Sequence, residues 1–319
     1  MRFGIVGTNF ISDWFVTASR RVAGTEPIAV YSRDAQRGAD FAQRHELPAH
    51  YDSLSALLAD TRVDAVYLAS PICAHHSQAL AAISAGKHVL CEKTLGVTSA
   101  QCAEILAAAA EHEVVVMEEV RPVSDPAWQL IADELPTLGT IRRVAFEKNQ
   151  YSSRYDDFRR GVIRRAFDPA MGNSALADIG VYCLQPALLL FGQPLRVSSE
   201  SVRLANGFDA CGSLLLAYDE FIVECTYSKV TSSVRPSVIE GEDGALLIDS
   251  VAEPARVERI DRDGTRDLRL DGPSARPSDN LHHVIAAFFD YCRAGEVDHR
   301  VNNITRWSMQ IITEAAGVH

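Results

Sequence analysis

The first third of the chain alternates two hydrophobic periods. Apolar runs at residues 2–6, 27–32, 65–69, 88–91 and 114–117 are too short for helices and read as strands. Between them, residues 11–22, 35–45, 74–85 and 100–112 carry helical spacing, with Ala39, Phe41 and Ala42 on the apolar side of the second. Strands without polar alternation are buried on both faces, as in a parallel sheet. Strict alternation of strand and helix therefore predicts a doubly wound α/β domain over residues 1–120.

After Arg121-Pro122 the pattern changes. One helix is expected at 126–135, followed by strand-like stretches at 141–149, 195–204, 212–217, 221–228, 238–241, 245–249 and 255–260. Asn206-Gly207, Glu242-Asp243-Gly244 and Asp263-Gly264 are turn signals between some of them. Successive strands without intervening helices predict a large, mainly antiparallel sheet. Helices at 173–191, 280–294 and 304–316 would cover it, giving an α+β domain over 121–319. Residues 266–278, polar and proline-containing, read as a mobile loop.

Composition narrows the function classes. With 319 residues, 47% of them hydrophobic, the chain suits a soluble two-domain protein. A net charge of −11 repels phosphate backbones, so nucleic acid is not an expected partner. No uninterrupted apolar run reaches membrane-spanning length, and no secretory signal pattern opens the sequence. Seven cysteines without a C-x-x-C pair read as reduced thiols of a cytoplasmic protein. No zinc-ligand spacing is present in the sequence, so no metal is expected.

Candidate chemistry begins at Gly7-Thr8-Asn9-Phe10-Ile11-Ser12, which follows a strand and opens a helix. A dinucleotide fingerprint reads G-x-G-x-x-G/A at such a place and puts backbone N–H groups against a pyrophosphate. Asn9 replaces the middle glycine, so an ordinary strand-to-helix turn stands beside the cofactor reading. At the end of the second strand NAD specificity calls for an acid that binds the ribose 2′-hydroxyl. Ser32 occupies that place, with Arg33 and Arg37 following. Two guanidinium groups there suit a 2′-phosphate and favour NADP over NAD, although both arginines also fit a solvated helix start.

Three further stretches make a family match. Ala69-Ser70-Pro71-Ile72-Cys73-Ala74-His75 runs on to Ala85-Gly86-Lys87-His88-Val89-Leu90-Cys91-Glu92-Lys93-Thr94. Tyr151 to Phe158 leads to Phe167-Asp168-Pro169, and Gly172-Asn173-Ser174-Ala175-Leu176-Ala177-Asp178-Ile179-Gly180-Val181-Tyr182 follows. These segments resemble the signatures of the Gfo/Idh/MocA oxidoreductase family, in the branch with a D-x-G-x-Y segment. Ile72, Thr94 and Asn173 depart from the usual Asn, Pro and Gly. The family's E-K-P proline is often cis, which leaves open how Lys93-Thr94 is arranged.

The resemblance implies a Rossmann domain followed by a substrate domain, and hydride transfer between nicotinamide and a sugar, polyol or related diol. Tyr182 would transfer the proton, Lys93 tune it and orient substrate, and Asp178 position a substrate hydroxyl. Ser70, Pro71, His75, Glu92, Lys93 and Arg121 would contact the cofactor. Arg154, Tyr155 and Phe167 would line the substrate pocket. Taken singly, Tyr182 also reads as a core tyrosine, and Asp178 and Lys93 as surface charges. The family further implies a homodimer or higher homo-oligomer formed through the exposed face of the second sheet. Two other readings stay open: a regulator that binds a dinucleotide without turnover, and a glycosidase or lyase that uses NAD transiently.

Overall fold

The computed structural model describes residues 1–273 and 277–317. Its contacts divide the chain into two compact units, one of residues 1–121 and 277–309, the other of residues 122–276 and 310–319.

The first unit is built on a six-stranded sheet of β1 (Arg2–Val6), β2 (Glu26–Tyr31), β3 (Ala49–Tyr51), β4 (Ala65–Leu68), β5 (His88–Cys91) and β6 (Val116–Glu118). The order is β3-β2-β1-β4-β5-β6, and every pairing is parallel. Helices α1 (Phe10–Ser19), α2 (Ala35–Arg44), α3 (Leu54–Ala59), α4 (Ile72–Ser84) and α5 (Ser99–Glu111) make the connections. The strand order reverses on the two sides of β1, so β1 and β4 border the switch point at which such sheets bind ligands. β4 is buried along its whole length. On one face Phe3, Phe15 and Tyr67 pack ring to ring, Phe15 stacked on Tyr67 at 3.9 Å. On the other, Val6, Leu57, Val66, Leu68 and Val89 join one apolar cluster.

Residues 277–309 also belong to this unit, whereas the sequence pattern had assigned them to the second domain. The reason is the apolar stripe of α10 (Pro277–Ala294): Leu281, Val284, Ile285 and Phe288 are fully buried, and Phe288 reaches Phe3. His299 then donates from Nε2 to the carbonyl of Val116 on edge strand β6, and Met309 of α11 (Arg300–Ala315) joins the cluster beneath the sheet. A helical pattern shows which face is apolar and not which sheet that face will cover.

The second unit opens with α6 (Arg121–Ser124), which begins at the unit boundary, and α7 (Pro126–Glu134). Its sheet holds β7 (Ile141–Asn149), β8 (Arg196–Arg203), β9 (Asp209–Ala217), β10 (Ile222–Ser228), β11 (Ser237–Gly241), β12 (Gly244–Ile248), β13 (Arg256–Asp261) and β14 (Arg266–Asp271). They run in the order β14-β13-β12-β11-β7-β10-β9-β8, antiparallel except for the β7–β10 pair. β14 falls where a mobile loop was expected. Its side chains are almost all exposed, so an edge strand here carried no buried face to betray it. Residues 274–276 of that expected loop lie outside the described residues.

Alternation along β7 sends Val144 and Phe146 into the core, where Phe146 meets Trp128 edge-on at 5.7 Å. α8 (Ser153–Arg159) and α9 (Val181–Phe191) lie in the long connection between β7 and β8. The helix expected over 173–191 is not uniform. Residues Leu176–Gly180 form a wider π-type turn, with Val181 N–H reaching back to the Leu176 carbonyl, before α9 continues. Such turns are often found at functional sites.

Candidate active site

In the first unit the functional loops all leave the C-terminal ends of the parallel strands. Gly7 follows β1 at φ +110°, and a Cβ there would stand 2.9 Å from the Ala69 carbonyl oxygen. Only glycine lets the β1 and β4 turns approach this closely. Asn9 is extended, at φ −87°, so its tolerance of left-handed geometry is not used. Its side chain instead caps α1, accepting from Ile11 N at 2.8 Å and Ser12 N at 3.3 Å, and donates to Ala69 O at 2.6 Å. This corrects the expectation for Ile11: its N–H is already given to Asn9, so the turn offers fewer donors than a glycine version would. Thr8 is half-buried, Ser12 buried, and Phe10 projects outward against Trp14.

At the end of β2, Ser32 is tucked in and accepts from Asp34 N–H. Asp34 spends its own carboxylate on capping α2 through Arg37 N–H. Arg33 and Arg37 are exposed, and neither forms an ion pair among the described residues. Two unpaired guanidinium groups beside a small hydroxyl suit a phosphate monoester and do not suit a bare ribose diol.

His75 departs from its expected role. It is fully buried, with Nδ1 2.7 Å from Thr94 O and Nε2 2.9 Å from Ser70 O. Its ring therefore ties the loop after β4 to the loop after β5 and is not available to touch a cofactor. Burial pushes its pKa down, against the pull of the two carbonyls. Ser70 Oγ donates to Gln78, and Pro71 starts α4. Lys93 is half-buried at the end of β5, and the Lys93-Thr94 peptide is cis.

Beneath Lys93 lies a buried charged cluster. Tyr67 Oη donates to Glu92 Oε1 at 2.6 Å, and Arg121 Nε donates to Glu119 Oε1. Glu92 and Arg121 are therefore engaged within the unit, each nearly closed to solvent. Burial pushes Glu118 up to about 8 and Glu119 up to about 7, in the second case against the opposing charge of Arg121.

In the second unit three side chains from the sheet hold the π-type turn. Asp209 Oδ2 accepts from Leu176 N at 3.0 Å. Gly180 lies against Tyr227, where a Cβ would come within 2.9 Å of the ring. Lys229 Nζ donates to Asp178 Oδ2 at 2.7 Å and to Ala166 O at 2.9 Å. Tyr182 follows in the first turn of α9, and Pro186 four residues on has no N–H to give to its carbonyl. Lys148, on the inward face of β7 after Val144 and Phe146, stands 5.9 Å from the centre of the Tyr182 ring.

Of the residues expected to line a substrate pocket, Arg154 is exposed and Tyr155 half-buried, stacked at 5.7 Å on Phe167. Phe167 is fully closed to solvent, in a cluster with Phe208 and Ala210, so it shapes the site from below and does not line it. Lys148, Asp209 and Lys229 were missed from the sequence. Lys229 ends a β10 run whose pattern ordinarily closes on a solvated lysine, and nothing in one dimension pairs it with Asp178. Among the described residues no group of three or more His, Cys, Asp or Glu could hold a metal ion. No described helix is long and apolar enough to cross a membrane.

Comparison with known proteins identifies the class. The family model described as "Oxidoreductase family, NAD-binding Rossmann fold" matches residues 1–120. The chain is 40% identical over 264 residues to scyllo-inositol 2-dehydrogenase (NADP(+)) IolU of Bacillus subtilis, a match covering 83% of this chain and 80% of that one. It is 33% identical over 267 residues to trans-1,2-dihydrobenzene-1,2-diol dehydrogenase of Bos taurus, covering 81% of this chain and 77% of that one. The crystal structure of KijD10, a 3-ketoreductase from Actinomadura kijaniata in complex with NADP and TDP-benzene, shares the fold. It matches with a TM-score of 0.86 at 24% identity, covering 98% of this chain and 95% of that one. The chain belongs to the Gfo/Idh/MocA oxidoreductase family and is an NAD(P)-dependent oxidoreductase.

The buried carboxyls give a pH signature. In the unfolded chain Glu118 and Glu119 titrate near 4.5, so the native protein holds protons that the unfolded chain releases. Their contribution to stability is complete below about 4.5 and is lost as pH rises through about 7 and 8. His299, held down at about 4, works in the opposite sense, but only up to its usual 6.5. The melting temperature of the cofactor-free protein should therefore fall between pH 6.5 and about 8. Glu118→Gln should flatten that fall. A wild-type melting temperature constant or rising over this interval, followed by calorimetry, would contradict the assignment.

Proposed function

We propose that this oxidoreductase is an NADP-dependent dehydrogenase of a sugar, polyol or related diol. The observation that carries the cofactor choice is the end of β2, where Ser32 stands in place of an acid and Arg33 and Arg37 are exposed and unpaired. These two guanidinium groups would hold the 2′-phosphate, and the turn at Gly7 with the main chain around Phe10 would face the pyrophosphate. The substrate class is supported by the relatives, one named for an inositol and NADP(+), the other for a trans-diol.

When bound, the nicotinamide supplies the carbon that gives or takes hydride. The chain supplies the rest. Tyr182 Oη moves the proton on the reacting substrate oxygen. Asp178, held as a carboxylate by Lys229, accepts a hydrogen bond from a substrate hydroxyl. Lys93 brings positive charge to the reacting oxygen, which favours an alkoxide over an alcohol. Arg154 and Tyr155 stand on α8 and would meet the rest of the substrate, and the relatives' diols and polyols are rich in hydroxyls for such groups to bind. We further propose that the protein acts in the cytoplasm as a homo-oligomer.

Two measurements test this reading. Arg33→Ala should weaken NADPH binding by roughly 10- to 100-fold, the size of one lost charge-assisted contact, and leave NADH binding almost unchanged. Equal weakening of both, measured by fluorescence titration, would remove Arg33 from the 2′-phosphate. Tyr182→Phe should lower turnover of scyllo-inositol or trans-1,2-dihydrobenzene-1,2-diol with NADP+ by roughly 100- to 10,000-fold at unchanged NADPH affinity. Turnover within a few-fold of wild type would end its role as the proton carrier.

A further inference from the structure

Lys229 is an unusual place for a charge. Its side chain is only 4% exposed, while that of its partner Asp178 is 35% exposed. The ammonium sits 5.0 Å from the centre of the Phe167 ring and 5.4 Å from that of Phe208. Its hydrogen bonds go to Asp178 Oδ2 and to the carbonyl of Ala166. Burying an ammonium is costly, and an apolar side chain would fill the space between two phenyl rings with no desolvation penalty. What only the ammonium supplies is its grip on the two oxygens.

Those oxygens belong to different segments. Ala166 lies in the segment that follows α8, the helix of Arg154 and Tyr155, and the Tyr155 ring stacks on Phe167. Asp178 lies in the π-type turn just before Tyr182. Lys229 itself follows β10, and its own N–H is fixed by the Ala210 carbonyl at 2.9 Å, so the backbone that carries the ammonium is anchored to the sheet. The aromatic faces add to the hold, since a partly desolvated cation is attracted to them.

We propose that Lys229 is a positioning residue: it holds the Asp178 carboxylate at one orientation and locks the Ala166 segment to the same point. Asp178 then acts as a hydrogen-bond acceptor for a substrate hydroxyl and not as a proton donor. The site is set for a hydroxyl-bearing substrate, with the loop and the carboxylate in fixed register. This rests on the reading above in which Asp178 meets the substrate. Lys229 touches neither substrate nor cofactor in this account; its effect passes through Asp178.

A double-mutant cycle on the full chain separates this from a merely structural role, with NADP+-dependent oxidation of scyllo-inositol as the assay. Asp178→Asn alone should lower kcat/KM by roughly 100-fold and Lys229→Met by roughly 10- to 100-fold, whereas Lys229→Met added to Asp178→Asn should cost less than about 3-fold more. Lys229→Arg, which keeps a cation between the rings, should recover part of the loss. NADPH affinity should stay at the wild-type value throughout. Full multiplication of the two losses, or no recovery with Arg, would overturn the positioning role while leaving Asp178 in place. A wild-type rate for Asp178→Asn, or a wild-type chain inert towards scyllo-inositol, would instead count against the underlying reading. Independently of any substrate, a crystal structure of Lys229→Met should show the Asp178 carboxylate displaced or in more than one orientation; an unmoved carboxylate would overturn the proposal.

Discussion

A charge buried without a partner costs several kcal/mol, a large part of the net stability of a domain. That constraint decides the geometry of both units. Lys229 can be closed off from water only because Asp178 and the Ala166 carbonyl meet it between two phenyl rings. Arg121 is closed off beside Glu119, and the Glu92 carboxyl under the Tyr67 hydroxyl. Each buried charge thereby dictates where a loop must stand. The loops so fixed are the ones that carry Asp178 in the second unit and Lys93 in the first. His75 is a further link between loops, a buried ring with Nδ1 beside the Thr94 carbonyl and Nε2 beside the Ser70 carbonyl.

The backbone cooperates with these anchors. The wider turn at Leu176–Gly180 and the proline at 186 leave the helix irregular on both sides of Tyr182. A regular helix would let its own ladder decide where Asp178 points. Here Asp209 at the start of β9, Tyr227 near the end of β10 and Lys229 just after it share that decision. The asymmetry of exposure between Lys229 and Asp178 follows directly, with the ammonium inward and the carboxylate at the rim.

Much of this was legible in one dimension, for definite reasons. Buried parallel strands have to be apolar throughout, so β1, β2, β4 and β5 announced themselves, while the three-residue β3 and the exposed β14 carried too little pattern. The second sheet was readable because its strands alternate. The assignment of α10 was not, since its stripe of Leu281, Val284, Ile285 and Phe288 is equally compatible with either sheet. For the candidate site, motif spacing singles out Lys93, Asp178 and Tyr182, and the place after a strand singles out Arg33 and Arg37, for the roles proposed above. Asn9 looked like a defect in a glycine motif and proved to be a helix cap. His75 and Phe167 were assigned to surfaces they do not reach, because a motif position says nothing about burial. Lys148 and Lys229 come to Tyr182 and Asp178 across sheet contacts far apart in sequence, and only the fold brings them there.

The proposed reaction is a direct transfer of hydride between nicotinamide and a hydroxyl-bearing carbon. It is tested most directly with scyllo-inositol deuterated at every carbon and unlabelled NADP+, the product cofactor being read by proton NMR. The NADPH formed should carry one deuterium at C4 of the nicotinamide, on a single face. Cofactor returned without label, whether unreduced or reduced with hydrogen from water, would contradict it.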